Sequence, residues 1–138
     1  MKFKLQILRD DEVIFEMPLS HGDWERERLE NELETLESDF QRYSKIFNAL
    51  SNETRLMMMK QLLERKNRVI NFTEFMRDLD LNPKLVWENT RKLREGGLVV
   101  KVGRGRYRCS RFGETGFMTI SLILRQLLES LEEFDTFK

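Results

Sequence analysis

Five cations fall within eleven positions of the stretch VVKVGRGRYRCSRFG, residues 99–113: Lys101, Arg104, Arg106, Arg108 and Arg111. The chemistry open to such side chains is anion binding, because a guanidinium presents a planar fork of donors that matches phosphate geometry. Lys84, Arg91, Lys92 and Arg94 precede them. Between Asn82 and Arg111, nine basic residues therefore stand against only Glu88 and Glu95. The chain as a whole is neutral, and the balance is restored between Asp10 and Asp39, where twelve acidic residues meet only Arg26 and Arg28. Segregation of this kind points to one end that faces a polyanion and another that avoids it.

Composition narrows the classes further. A chain of 138 residues suits one compact domain with room for an appendage. Charged residues, at 35%, exceed the usual quarter or so. No apolar run reaches membrane-span length and no signal-peptide pattern opens the chain, so the expectation is an intracellular, cytoplasmic protein with no membrane partner. Cys109 is the only cysteine and His21 the only histidine. That excludes an internal disulfide framework and a cysteine-based zinc site within one chain, and no cofactor is expected. An enzyme is disfavoured, for there is neither a glycine-rich phosphate loop before a helix nor a nucleophile–histidine pair. Met57-Met58-Met59 suggests soft ligands, but methionine on a helix is far more often adaptable core filler.

The elements that would position the cations can be read from periodicity. Residues 2–19 alternate: Phe3, Leu5 and Ile7, then Val13, Phe15 and Met17, with a turn at RDDE between them. This predicts a β-hairpin with one apolar face. From about Asp23, Leu29, Leu33, Leu36, Phe40, Tyr43, Phe47 and Leu50 follow a 4-3 spacing that predicts one long helix with a coiled-coil seam. Ser51 is expected to cap a second helix, with Leu56, Met59 and Leu63 on one face.

Val69-Ile70 allows a short strand. Asn71 with Glu74 forms a capping-box pattern for a short helix. Asp80-Leu81 makes a turn, and Asn82 with Pro83 opens a helix over 82–95 that Gly96-Gly97 ends. Two short helices joined so closely make a helix-turn-helix unit. A second hairpin follows over 98–111, turning at Gly103-Arg104-Gly105, with Tyr107 and Cys109 facing inward and the arginines outward: a wing. Thr115 to Phe134 is predicted helical, with Phe117, Ile120, Leu124, Leu127, Leu131 and Phe134 forming a second stripe.

The segment from Ile46 to about Leu131 resembles the winged-helix DNA-binding domains of the ArsR-like transcriptional regulators. ALSNETRL matches the family's opening, and LREGGLV its exit into the wing, in order and at normal spacing. The resemblance implies a sequence-specific regulator that binds double-stranded DNA as a homodimer. Paired cysteines or the acidic and histidine ligands by which part of the family senses metal are not in this sequence, so no effector is implied. The first forty-odd residues are not the family's usual beginning.

Together these readings give a mainly α, α+β chain in three parts: a hairpin and long helix (1–50), a winged helix-turn-helix (51–113) and a dimerisation helix (114–138). Candidate DNA-binding residues are Lys84, Leu85, Trp87, Glu88 and Arg91 on the recognition helix and Lys101, Arg104, Arg106 and Arg108 on the wing. Trp87 is large for groove reading and could equally pack on the protein's own surface. Candidate dimer contacts are Leu29, Leu33, Leu36, Phe40, Phe117, Ile120, Leu124, Leu127 and Leu131. A protein partner is expected for the acidic N-terminal region. The rival readings are a winged helix used for protein assembly and a low-specificity chromatin-type DNA-binding protein.

Overall fold

Local backbone chemistry sets most elements of the computed structural model, which describes residues 2–65 and 69–135, with side chains as far as Leu131. Among these residues the chain is α+β, with six helices and two small antiparallel sheets. It divides into two compact units, residues 1–40 and 41–138.

In the first unit, β1 (Lys4–Arg9) and β2 (Glu12–Pro18) pair antiparallel around Asp10 and Asp11, both at positive φ (48° and 70°). A two-residue loop of left-handed residues matches the strands' twist, and aspartate tolerates that conformation better than most side chains. The register runs Leu5 to Met17 and Ile7 to Phe15, then slips so that Leu8 meets Val13. The expected apolar face keeps Leu5, Ile7, Phe15 and Met17 but loses Val13 at this bulge at Ile14. Val13 lies across from Leu8 rather than sharing the Ile7 and Phe15 face, and both Leu8 and Val13 are exposed. Glu16 accepts a hydrogen bond from Gln6 and pairs with Lys4 at 3.0 Å; these partners, Gln6 foremost, hold its carboxyl below the ordinary value.

A 3-10 turn at His21–Asp23 leads into α1 (Arg26–Glu37). Arg28 joins helix and hairpin: its guanidinium lies 4.9 Å from the Trp24 ring centre and donates to the Glu16 carbonyl. The expected continuous helix to Leu50 is interrupted, and α2 (Phe40–Ala49) begins anew. Ser38 and Asp39 donate their N–H groups only three residues back, to Thr35 and Leu36, and Ser38 Oγ also donates to the Thr35 carbonyl at 2.7 Å. These short-range bonds tighten the turn and stop the α-helical ladder.

The second unit adds α3 (Glu53–Glu64), β3 (Val69–Asn71), α4 (Phe72–Leu79), α5 (Pro83–Glu95), β4 (Val99–Gly103), β5 (Arg106–Cys109) and α6 (Arg111–Asp135). Its sheet runs β3-β5-β4, with both pairings antiparallel. Met58, Met59 and Leu62 meet Phe75, Val86, Leu93, Ile70 and Tyr107 in one buried core. The methionine run is indeed partly core filler: Met58 and Met59 are fully buried, while Met57 is exposed.

Two helix starts follow the sequence signals. The Asn71–Glu74 capping box closes reciprocally at 2.8 and 3.2 Å, and Asn82 Oδ1 accepts from the Leu85 N–H at 2.9 Å. Two others do not. The cap of α3 is Asn52, which accepts from the Arg55 N–H, while Ser51 Oγ donates to the Asn48 carbonyl. Helix α6 starts at Arg111, not Thr115, because Ser110 Oγ accepts from the Gly113 N–H at 2.8 Å and donates to the Gly97 carbonyl at 2.6 Å. Gly113 permits this seating: a Cβ there would lie 1.9 Å from the Leu98 carbonyl oxygen.

Of the three residues expected on one face of α3, Met59 is fully buried and Leu63 packs partly buried against the core, while Leu56 is exposed; Arg55, Met58 and Leu62 complete the buried face. Arg55 is only 5% exposed. Its Nε donates to the Ala49 carbonyl, Nη2 to the Asn48 carbonyl and Nη1 to Asn89 Oδ1, each at 2.8 Å. Burial lowers its pKa, yet guanidinium keeps its proton at any ordinary pH. The charge is answered by the carbonyl end of α2, the negative pole of that helix. Arg55 thereby ties α2, α3 and α5 together. Arg55→Ala should cost about 2–4 kcal/mol of stability by leaving these acceptors buried without a donor. Urea unfolding of the purified variant measures this; a loss below about 1 kcal/mol would mean the network is dispensable.

Candidate nucleic-acid interface

Helix α5 is placed by what it buries. Val86, Asn89, Thr90 and Leu93 face the core, and Thr90 Oγ1 donates to the Val86 carbonyl at 2.8 Å. Only residues 80–82 separate it from α4, with Asp80 in the left-handed conformation (φ 52°) and the Leu81 N–H donating to the Met76 carbonyl. That short connection leaves the outer side of α5 bare. Lys84, Leu85, Trp87 and Arg91 are exposed, and Glu88 is half-buried.

Trp87, 56% exposed, packs with its own helix: the Arg91 guanidinium lies 5.1 Å from its ring centre. Arg91 also pairs with Glu95 at 3.1 Å. Exposed contacts of this kind contribute only a few tenths of a kcal/mol to about 1 kcal/mol, so Arg91 is oriented without being locked away from another acceptor.

The β4–β5 hairpin turns at Arg104-Gly105, where Gly105 has φ +66°. The Gly105 carbonyl accepts from the Phe72 N–H at 2.7 Å, which fixes the hairpin's end to the start of α4. Along β5, Tyr107 and Cys109 are buried as the alternation predicts. Arg106 and Arg108 are exposed on the opposite face, across from Asn71 and Val69 of β3. Lys101 departs from that grouping. It lies across from Tyr107, on the helix-covered side of the sheet, in the same regular register that pairs Val99 with Cys109; the strands slip only beyond it, between Lys101 and Gly103. Arg111 leaves the hairpin altogether and opens α6.

The hairpin thus carries cations on both faces and Arg104 beside its tip glycine. Among the described residues, no carboxylate pairs with Lys84, Lys101, Arg104, Arg106 or Arg108. Arg42 and Lys45 of α2, which sequence reasoning passed over, line a recess with Glu95 and Gly96 at the far end of α5. Nothing in their heptad setting set them apart from ordinary exposed helix cations.

The candidate dimer residues divide. On α6, Phe117 packs against the unit's own core, Leu127 is half-buried, and Ile120, Leu124 and Leu131 are exposed. Phe134 lies outside the residues whose side chains are described. On the N-terminal seam, Leu29 is half-buried, whereas Leu33, Leu36 and Phe40 are exposed. At the seam's far end Leu50 packs partly buried against the core, beside the fully buried Ala49. Gly96 permits that approach, since a Cβ there would come within 2.8 Å of Ala49 Cβ.

Among the described residues, no group of three or more His, Cys, Asp or Glu is arranged to hold a metal ion, and no helix is long and apolar enough to cross a membrane. No family model and no curated protein matches the sequence.

The tip geometry generates a test. Any side chain at Gly105 must adopt a left-handed conformation that costs L-residues roughly 1–2 kcal/mol. Gly105→Ala should therefore lower stability by about that amount in chemical denaturation. An unchanged midpoint would show that the hairpin end rearranges freely.

Proposed function

We propose that residues 41–138 form a winged helix-turn-helix that binds double-stranded DNA as a homodimer and regulates transcription. In this reading α5 enters the major groove and the β4–β5 hairpin is the wing. One observation carries the proposal: the bare outer side of α5 and a hairpin with unpaired cations belong to the same unit. A three-residue connection between α4 and α5 is the spacing a helix-turn-helix uses.

The chemistry divides by residue. Lys84 and Arg91 suit guanine edges or phosphates, and Glu88 can accept from a cytosine amine. Leu85 and Trp87 offer apolar surface to a thymine methyl or a sugar. Arg104 at the tip, with Lys101 on the helix side, suits the backbone or an adjacent minor groove. Arg106 and Arg108 lie on the other face of the sheet and would reach phosphate only where the duplex passes the wing's outer side. The dimer forms through the exposed stripe of α6. Burying a leucine contributes roughly 1.5–3 kcal/mol, so Ile120, Leu124 and Leu131 from each copy suffice for association. Replacing Leu124 and Leu131 with aspartate should yield monomers in sedimentation, with the unit still folded.

Binding should be strongly salt-dependent. If each subunit neutralises three or four phosphates, roughly six to eight per dimer, affinity falls about 10³–10⁵-fold between 50 and 200 mM salt. Arg104→Ala should weaken binding to every sequence alike and make the salt slope shallower. Arg91→Ala or Glu88→Ala should instead shift sequence preference, at about 1–3 kcal/mol for the base pair read. Duplexes selected from a random pool supply the specific probe, and a random duplex supplies the comparison. Equal affinity for the two would favour a low-specificity chromatin-type protein. An Arg104→Ala protein with unchanged affinity and slope would return the basic hairpin to a role in protein assembly.

A further inference from the structure

Two helices of this chain expose apolar stripes at coiled-coil spacing, and the residues beside those stripes differ in kind. On α6 the positions flanking Ile120, Leu124 and Leu127 are Gly116, Ser121, Ile123 and Leu128, none of them charged. Two copies can bring such edges together without electrostatic cost. On α1 the stripe of Leu29, Leu33 and Leu36 is flanked by Glu30, Glu32 and Glu37. Leu33 is 52% and Leu36 39% exposed, so the stripe is open.

Flanking charges decide who pairs with such a stripe. In a parallel self-pair, Glu32 of one copy would stand beside Glu37 of the other. In an antiparallel one, residues Glu30 and Glu37 would meet across the seam. Both arrangements set carboxylate against carboxylate along the length of the contact. Arg26, paired with Glu30 at 2.8 Å, offsets one of these charges and leaves Glu32 and Glu37 uncompensated by any ion pair. The surrounding unit deepens the bias. Residues 1–40 carry twelve carboxylates against five lysines and arginines.

We propose that the apolar stripe of α1 docks an amphipathic helix of another protein whose own stripe is flanked by lysine or arginine. Leu33 and Leu36 supply the buried contact, and Glu30, Glu32 and Glu37 select the partner by charge. The stripe's length, 12 residues of helix, sets the footprint at about three turns. This site is separate from the DNA-binding reading, and its test contains no DNA.

The test uses the full chain and three labelled synthetic helical peptides of about 21 residues, three heptads each. The first has a leucine stripe with lysine flanks, the second a leucine stripe with glutamate flanks, and the third serine in the stripe with lysine flanks. Fluorescence anisotropy should show the first binding about tenfold more tightly than the third. Because the basic unit attracts an acidic peptide wherever it lands, the second is judged by how its ratio to the first changes. Reversing the charges with Glu30→Lys, Glu32→Lys and Glu37→Lys should swing that ratio by at least about tenfold toward the glutamate peptide. A ratio that does not move overturns the proposal, as does equal binding of the first and third peptides, which would mean mere attraction to acidic charge. Sedimentation closes the remaining route: if Leu33→Asp, with its helix content intact by circular dichroism, lowers the oligomeric state of the wild-type chain, the occupant is a second copy and the proposal falls.

Discussion

A guanidinium buried without a carboxylate is the constraint on which the larger unit depends. Arg55 brings a full charge into a core of methionine, leucine and phenylalanine, and such a charge is tolerable only where acceptors surround it. Here the last carbonyls of α2 and the amide of Asn89 do so. The arrangement satisfies two needs at once, since the carbonyls at a helix C-terminus also lack intrahelical donors. It has a geometric consequence. Asn89 is drawn inward, which fixes the rotation of α5 about its axis and leaves Lys84, Trp87 and Arg91 outside.

The cations of the hairpin are placed by different physics. Strand pairing decides faces with a period of two, so one extra residue sends everything beyond it to the other side. The slip at Ile14 separates Val13 from Phe15, while regular alternation, which pairs Lys101 with Tyr107, sets Lys101 on the face opposite Arg106 and Arg108. A ribbon of charge that is continuous along the sequence is therefore distributed over two faces and a tip. Lys101 shares a face with Tyr107, Arg106 and Arg108 lie on the other, and Arg104 sits at the tip.

Charge segregation acts at longer range. Residues 41–138 hold nineteen lysines and arginines against twelve carboxylates, the reverse of residues 1–40 in sign. A neutral chain can thus steer a polyanion toward one unit while the other repels it, to a degree set by ionic strength. The same segregation distinguishes two helices that hydrophobic periodicity alone makes look equivalent. Apolar stripes on α1 and α6 share a spacing, but only α6 has edges fit to meet their own image.

Short-range signals in the sequence determined the Asn71–Glu74 cap, the Asn82-Pro83 start of α5, the turn at Asp10-Asp11 and the burial of Tyr107 and Cys109. Each depends on residues within a few positions of one another, so composition and spacing carry the whole physical cause. The concentration of cations between Lys84 and Arg111 was legible for the same reason. Tertiary structure decided much of the rest. A charged residue reads as exposed until distant carbonyls are found to receive it, which is why Arg55 is not legible as part of the buried face of α3. The break at Ser38 and Asp39 is different again: its hydrogen bonds are local, a short-range cause hidden by the longer heptad pattern rather than a tertiary one. The start of α6 combines a local cap, Ser110 accepting from the Gly113 N–H, with a glycine pressed against the Leu98 carbonyl, and only the second is an approach between distant segments. Side-chain type and spacing assign the chemistry, while bulges and buried polar contacts assign the direction in which it faces.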